Sequence, residues 1–252
     1  MIHFVGAGCG AADLITVRGA ALLKRADAIV YAGSLVSETL LGYAKEACEV
    51  FNSAKMTLSE VITVMERMEA QGKTTVRLHT GDPSVYGAIR EQMDGLDALK
   101  IPYDICPGVS SFCGAAAALK AEYTLPEVSQ SVIITRMAGK TPVPERESIK
   151  SFAAHHATMV IFLSAGLTEG LQTELLAGGY EADTPAAIVY KASWPDEKVI
   201  RCTVGTLHAA AEASGVKSHA LITVGGFLGS EYALSKLYDP TFTTAFRQGV
   251  ER

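Results

Sequence analysis

Three short segments of the chain combine glycine with side chains that can bind a ligand. Residues 6–10 read Gly-Ala-Gly-Cys-Gly, residues 80–87 read Thr-Gly-Asp-Pro-Ser-Val-Tyr-Gly, and residues 107–111 read Pro-Gly-Val-Ser-Ser. Glycine lets the backbone approach a ligand closely and adopt positive φ. A carboxylate such as Asp82 accepts hydrogen bonds, and a hydroxyl such as that of Ser110 donates or accepts them. Together the three segments indicate a binding site for a small molecule.

Each segment follows a run of residues with the character of a β-strand. The runs at residues 2–5, 74–78 and 103–106 are short and rich in apolar or β-branched residues, and each ends close to one of the three segments. In an open α/β sheet, ligands bind beyond the carboxyl ends of the strands. We therefore expect the three segments to meet at one edge of a sheet.

The first segment also matches a dinucleotide-binding fingerprint. Gly6, Gly8 and Ala11 have the spacing G-x-G-x-x-A directly after a strand. That interpretation requires an acidic residue about 20 positions further on, at the end of the second strand, to hold a ribose hydroxyl. The second predicted strand ends at Tyr31, and Asp27 stands at its start, which is the wrong end. Nicotinamide dinucleotide binding is therefore disfavoured, whereas a tight structural turn stays an open alternative.

Asp82 has a structural interpretation as well as a functional one. It precedes Pro83 and a helical pattern over residues 85–99, so its carboxylate can cap the first turn of that helix. Capping and ligand binding are compatible, because the segment still lies at the carboxyl end of a strand.

The order of the predicted elements indicates an α/β fold with two domains. Strands and helices alternate with short connections over residues 1–120, which predicts a parallel sheet covered on both faces. A polar connector at residues 121–130 precedes five further strand patterns that only three helical patterns separate. The link from Ile188 to Ile200 is too short for a covering helix, so we expect an antiparallel pair there. The second domain, residues 121–252, is therefore predicted to contain a mixed sheet.

Composition and charge limit the classes of partner. The 252 residues carry a net charge of −5 with both signs mixed along the chain, so the basic field that general nucleic-acid binding requires is missing. The longest uncharged stretch, residues 105–119, is too short to span a bilayer and contains proline and glycine. Five dispersed cysteines without a CxxC or zinc spacing are typical of free thiols in a reducing cytoplasm. We expect a cytoplasmic protein with no nucleic-acid, membrane or metal partner.

Taken together, the three segments resemble those of the S-adenosylmethionine-dependent tetrapyrrole methylase family, and the similarity extends over nearly the whole chain. Further segments that carry it are residues 31–36, 53–58, 77–83, 124–130, 135–136 and 141–145. The resemblance implies two α/β domains with S-adenosylmethionine bound between them, usually in a homodimer. It also implies methylation of carbon 11 of precorrin-4, with or without cobalt, in cobalamin biosynthesis, and S-adenosylhomocysteine as the product.

The resemblance carries over to individual residues. Asp82 and Tyr86 are the candidates for the catalytic site. The implied contacts to S-adenosylmethionine are Gly8, Cys9, Thr80, Gly81, Asp82, Val85, Ser110 and Ser111 in the first domain, and Leu163 and Ala192 in the second. The chain departs from the family at Cys9, where proline is usual, and at residues 11–12, where Ala-Ala replaces Asp-Pro. We therefore expect altered packing around the ligand.

Arginine is the residue type best suited to the carboxylates of a tetrapyrrole, because its guanidinium binds a carboxylate through two parallel hydrogen bonds. Arg77 and Arg136 are the candidates, and a solvated position on a strand is the alternative for Arg77. Other functions also stay open. They are a methylase of another precorrin or of a substrate that is not a tetrapyrrole, a nicotinamide-dependent oxidoreductase, and a tetrapyrrole carrier without catalytic activity.

Overall fold

The computed structural model describes residues 1–250. Contacts within the chain divide it into two compact units, each built around its own five-stranded sheet. The first unit consists of residues 1–118 and 191–198, and the second of residues 119–190 and 199–250. The α/β fold with a parallel first sheet and a mixed second sheet is confirmed.

The first sheet is parallel throughout, with the order β3-β2-β4-β1-β5. Its strands are β1 (Ile2–Gly6), β2 (Ala28–Tyr31), β3 (Glu49–Asn52), β4 (Thr75–His79) and β5 (Tyr103–Cys106). The helices of this unit are α1 (Val17–Arg25), α2 (Leu58–Ala70), α3 (Arg90–Ala98) and α4 (Ser111–Leu119). Because all strands run the same way, their carboxyl ends lie at one edge.

The central strands of the first sheet are buried on both faces, as is typical of a parallel sheet. On one face Val5, Ile29 and Leu78 pack against Leu22 and Leu23 of α1. On the other, a second cluster joins β1 and β2 to α2 and α3 through Ile2, Phe4, Val30, Val61, Met65 and Leu96. The two clusters fix the strands in register, and thereby fix where each strand ends.

Helix α2 begins at a capping box. The hydroxyl of Thr57 accepts from the backbone N–H of Glu60, and the carboxylate of Glu60 accepts in turn from the N–H of Thr57. Two of the unpaired N–H groups at a helix start are satisfied in this way. Helix α1 begins more simply, with the Thr16 hydroxyl accepting from the N–H of Gly19.

The second sheet is mixed, with the order β6-β7-β10-β8-β9. Its strands are β6 (Val132–Arg136), β7 (Thr158–Phe162), β8 (Pro185–Tyr190), β9 (Lys198–Thr203) and β10 (Ala220–Val224). β6 and β7 are parallel, whereas β10 runs antiparallel to both β7 and β8. The helices are α5 (Ile149–Ala153), α6 (Thr168–Ala177) and α7 (Leu207–Ser214). β8 and β9 are neighbours, so the short link between them joins adjacent strands.

Two local expectations from the sequence are wrong. Helix α3 begins at Arg90 and not near residue 85, because Tyr86 and Ala88 adopt left-handed backbone conformations that no α-helix contains. The residue that precedes α3 is Ile89, so Asp82 does not cap this helix.

Across residues 1–250, the structure contains no helix with the length and apolar character needed to cross a membrane.

The core of the second unit gives a direct test of the fold. Leu171 of α6 is fully buried, whereas Leu176 on the same helix is 39% exposed. We expect Leu171→Ala to lower the free energy of unfolding by about 2–5 kcal/mol. Leu176→Ala should change it by no more than about 0.5 kcal/mol. Urea unfolding followed by circular dichroism measures both, and equal effects would contradict the placement of α6.

Candidate functional site

The carboxyl ends of three adjacent strands bring the three glycine-containing segments of the first unit together. β4, β1 and β5 are neighbours in the sheet. β1 leads into loop 1 (residues 7–11), β4 into loop 2 (residues 80–89) and β5 into loop 3 (residues 107–110). The prediction that these segments share one sheet edge therefore agrees with the structure.

Loops 1 and 2 are hydrogen-bonded through their backbones. The N–H of Ala7 donates to the carbonyl of His79 at 2.7 Å. Gly8 and Gly81 exchange two N–H···O bonds of 3.2 and 2.9 Å, forming an isolated antiparallel bridge. Both glycines have positive φ, 81° and 58°, which other residues rarely adopt. The bridge holds the two loops together without any side chain.

Loop 3 packs against the same backbone at a distance that only glycine allows. A methyl group on Gly108 would lie 2.2 Å from the carbonyl oxygen of Gly81, and one on Gly6 would lie 2.5 Å from the Cα of Gly108. Both distances are far below a van der Waals contact of about 3.5–4.0 Å. Gly6, Gly81 and Gly108 are therefore packed backbone against backbone.

Asp82 joins loop 2 to loop 3. One carboxylate oxygen accepts from the N–H of Gly108 at 2.8 Å. The other accepts from the N–H of Ser84 at 2.8 Å and from the Ser84 hydroxyl. Partial burial raises the pKa of the Asp82 carboxyl, but these hydrogen bonds outweigh it and lower the pKa below its usual value. Asp82 is therefore ionised at neutral pH and holds two loops in place.

Loop 2 has a strained, compact backbone. Tyr86 and Ala88 are not glycines, yet they have φ of 54° and 49°. A methyl group on Gly87 would lie 2.2 Å from the carbonyl oxygen of Pro83, so the loop folds back on itself. Residues in such conformations persist only where their surroundings hold them, and they cluster at functional sites. The Tyr86 side chain is 45% exposed.

The remaining predicted residues of the first unit lie on or beside these loops. Ser110 is buried, and its carbonyl accepts from Cys113 and Gly114 in the first turn of α4. Ser111 is the first residue of α4, and its N–H would lie 3.3 Å from a methyl group on Gly81. Thr80 and Val85 are partly exposed.

A segment from elsewhere in the sequence completes loop 1. Residues 191–198 connect two strands of the second sheet but belong by their contacts to the first unit. The Ser193 hydroxyl accepts from the N–H of Ala11 at 3.0 Å and lies 3.6 Å from the Cys9 thiol. A methyl group on Gly10 would lie 2.2 Å from the Trp194 ring. Cys9 is thus buried where loop 1 packs against this segment.

Ala192, Ser193 and Trp194 therefore belong with the glycine loops. Ala192 is buried, and its carbonyl oxygen would lie 2.6 Å from a methyl group on Gly10. Ala192 is predicted from the sequence only through the family resemblance, and no sequence pattern marks Ser193. A polar, turn-forming stretch between two apolar strand patterns gives no sign of where it packs. The lone tryptophan of the chain was the one available signal.

Arg77 is buried inside the sheet. Its side chain is on β4, where it is 6% exposed. Its Nε donates to Oε1 of Gln92 at 2.9 Å, and one terminal nitrogen donates to the carbonyl of Val30 at 3.0 Å. Burial lowers the pKa of Arg77 to about 10, so it remains protonated at neutral pH. The solvated alternative for Arg77 is wrong, and its contact to a substrate carboxylate stays a prediction.

His79 at the end of β4 is a neutral, buried imidazole. Its ring stacks on Phe4 with centroids 6.1 Å apart, and its Nε2 has no hydrogen-bond partner. Burial, with a smaller effect from the nearby Arg77 cation, lowers the pKa of His79 to about 3. The imidazole is therefore uncharged under physiological conditions.

Two predicted residues lie in the second unit. The guanidinium of Arg136 donates to the carbonyls of Met137, Thr141 and Pro142, and so shapes the loop that follows β6. Leu163, directly after β7, is 62% exposed and has φ of 53°. Within residues 1–250, no group of three or more histidine, cysteine, aspartate or glutamate side chains is arranged to hold a metal ion.

Comparison with known proteins gives matches along the whole chain. The family described as Tetrapyrrole (Corrin/Porphyrin) Methylases matches residues 1–208. A cobalt-precorrin-4 C(11)-methyltransferase of Methanocaldococcus jannaschii is 51% identical over 100% of this chain and 97% of its own length. A precorrin-4 C(11)-methyltransferase of Pseudomonas aeruginosa is 42% identical over 98% of this chain and 99% of its own.

The fold is similar to that of a solved structure. The X-ray structure of cobalt precorrin-4 methyltransferase, CbiF, superimposes with a TM-score of 0.89 at 45% sequence identity. The similarity covers 91% of this chain and 96% of that chain.

The packing of the three loops predicts which glycines can be replaced. Gly108→Ala should lower the free energy of unfolding by about 1–3 kcal/mol, because its methyl group has no room beside Gly81. At Gly42 nothing lies within 4 Å of the added methyl group, and φ is not in the left-handed range. Gly42→Ala should therefore be neutral or stabilising by up to about 1 kcal/mol. Thermal unfolding of the two variants tests this, and an unaffected Gly108→Ala variant would contradict the loop packing.

The depressed pKa of His79 predicts a pH dependence with a definite sign. Between pH 6.5, the ordinary value, and about pH 3, the unfolded chain binds a proton at His79 that the folded chain does not. Stability should therefore fall as the pH is lowered from 6.5 towards 3, and this contribution should vanish above pH 6.5. In His79→Phe it should be missing. Urea midpoints of parent and variant at pH 7.5 and pH 5 measure it, and a constant difference between them would contradict the buried neutral imidazole.

Proposed function

The chain belongs to the tetrapyrrole (corrin/porphyrin) methylase family, and we propose that it methylates carbon 11 of precorrin-4 with S-adenosylmethionine as the methyl donor. The observation that carries the proposal is the 51% identity, over the whole chain, to a cobalt-precorrin-4 C(11)-methyltransferase. Identity to the relative named for precorrin-4 without cobalt is 42%. We therefore propose the cobalt-containing substrate.

The residues at the sheet edge of the first unit are chemically suited to S-adenosylmethionine. Loops 1 to 3 contain glycines at positions 8, 10, 81, 87 and 108, and a glycine lets the main chain approach a ligand closely. Asp82 contributes a negative charge, which is complementary to a sulfonium. We propose that the ligand is held by Gly8, Cys9, Thr80, Gly81, Asp82, Val85, Ser110, Ser111 and Ala192, and that Leu163 contributes as the resemblance implies.

The proposed reaction requires positioning more than acid–base catalysis. When bound, S-adenosylmethionine would supply a methyl group on a sulfonium: a carbon nucleophile can attack that methyl directly, and the S–CH3 bond breaks to release neutral S-adenosylhomocysteine. The fixed loops of the first unit would hold this donor in one orientation, and orientation of reactants can account for about 7–11 kcal/mol of a barrier. Asp82 keeps loops 2 and 3 together while ionised, and the partly exposed Tyr86 is proposed to contact the ligands. No residue is assigned as a general base.

Substrate recognition is proposed to involve the carboxylates of the tetrapyrrole. Arg136 stays a candidate, although its guanidinium already donates to three carbonyls of its own loop.

We further propose a homodimer in the cytoplasm, as is usual for the family. Sedimentation velocity of the purified chain would test the dimer, and a monomer at micromolar concentration would contradict it.

Calorimetric titration with S-adenosylhomocysteine, the proposed product, tests the cofactor class. We expect micromolar binding, with none for NADH. Turnover is then measured with precorrin-4 prepared with and without cobalt, and a new methyl group at carbon 11 is identified by NMR. Binding of NADH alone would instead favour an oxidoreductase. Tetrapyrrole binding without turnover in the presence of S-adenosylmethionine would favour a carrier.

Replacement of Asp82 tests the proposed site itself. Asp82→Ala leaves the N–H of Gly108 without its acceptor and so releases loop 3 from loop 2; S-adenosylhomocysteine should therefore bind at least about tenfold more weakly. Asp94→Asn is the matched control, because Asp94 pairs with Arg90 on the surface of the same unit. The control should bind as the parent does. Equal affinity of the parent and Asp82→Ala would exclude Asp82 from the site.

A further inference from the structure

Arg77 occupies a costly position that the proposed reaction does not explain. It lies in the middle of β4, opposite Phe4 of β1 and Val30 of β2, with its charge inside the unit. Burying a guanidinium is unfavourable unless its donors are paired. Within residues 1–250 no carboxylate forms an ion pair with it, and it donates hydrogen bonds to one side-chain amide and one backbone carbonyl. These hydrogen bonds do not neutralise the charge of Arg77, so the role of the side chain must lie in holding its partners in place.

Gln92 is the side chain that Arg77 holds in place. Gln92 lies in the first turn of α3 and is also only 6% exposed. Its Oε1 accepts from Arg77 at 2.9 Å, and its Nε2 donates to the carbonyl of Ala88 at 3.0 Å. Both ends of one amide are therefore used, and this fixes which way it faces. The result is a continuous chain of hydrogen bonds from the interior of β4 to the end of loop 2.

The chain of hydrogen bonds reaches loop 2 where its backbone is least favourable. Ala88 has φ of 49°, and Tyr86 two residues earlier has φ of 54°. Loop 2 begins directly after β4 and is attached to loop 3 at Asp82. Its far end is attached to β4 again through Gln92 and Arg77. The same strand therefore holds both ends of the loop.

We propose that Arg77 and Gln92 are positioning residues for the methyl-transfer site. They hold residues 80–89 in the conformation that binds the donor, without contacting it themselves. This inference rests on the proposed function of loop 2. A role confined to the stability of the sheet is the competing explanation, and substitutions at Gln92 separate the two.

Two substitutions of Gln92 separate its contact to Arg77 from its contact to Ala88. Gln92→Glu keeps an acceptor for Arg77 but has no N–H to donate to Ala88. Gln92→Met removes both. If the chain of hydrogen bonds positions loop 2, both variants should bind S-adenosylhomocysteine about tenfold more weakly than the parent, which corresponds to 1.4 kcal/mol. Only Gln92→Met should also unfold at a clearly lower temperature, because it leaves the buried Arg77 Nε without an acceptor.

The control is Met68→Ala, which opens a cavity at a fully buried position of α2 in the same unit. It should lower the unfolding temperature and leave the affinity for S-adenosylhomocysteine unchanged. Affinity equal to the parent's in Gln92→Glu would overturn the proposal. So would a loss of affinity in Met68→Ala as large as that in Gln92→Met, since destabilisation alone would then explain the effect.

Hydrogen–deuterium exchange of residues 80–89 gives a readout that needs no ligand. Exchange there should be faster in both Gln92 variants than in the parent and in Met68→Ala. If the parent itself fails to bind S-adenosylhomocysteine, the proposed function fails, and exchange still decides whether Arg77 and Gln92 position the loop. Unchanged exchange in both variants would overturn the positioning role whatever the ligand.

Discussion

Contact of backbone against backbone is the constraint on which the rest of the first unit depends. Gly6, Gly81 and Gly108 come so close that no side chain fits between the strand ends. The sheet must therefore hold β4, β1 and β5 in one register, and the two apolar clusters on its faces do this. The strand ends therefore meet through main-chain groups. Within loops 1 to 3, charge comes from the side chain of Asp82.

Asp82 and Arg77 are both charged, and both are held by neutral partners. Asp82 accepts from backbone N–H groups and a hydroxyl, and Arg77 donates to an amide and a carbonyl. Neither charge is cancelled by an opposite one, so each side chain keeps its full field while its geometry is fixed. For Asp82 this leaves a negative charge at the edge where a sulfonium ligand is proposed. The Arg77 guanidinium donates to two groups, Gln92 and the carbonyl of Val30, and burial of its charge is the unfavourable consequence.

Local patterns predicted most of the elements, and contacts distant in sequence explain what they missed. The runs at residues 28–31 and 103–106 match β2 and β5, because short apolar strands between turns have a clear signature. The start of α3 was misplaced, since propensity cannot show that Tyr86 and Ala88 adopt positive φ. The burial of Arg77 was missed for a related reason. An arginine in a strand pattern is normally solvated, and its partner Gln92 lies 15 residues further along the chain.

The attachment of residues 191–198 to loop 1 has a consequence for how the protein is made. Ala11 and the hydroxyl of Ser193 that it contacts are 182 positions apart in the sequence. At a synthesis rate of about 5–20 residues per second, loop 1 leaves the ribosome roughly ten seconds or more before its partner segment exists. During that interval residues 191–198 are not yet available to pack against loop 1. The last step in forming the first unit must therefore wait until much of the second sheet has been translated.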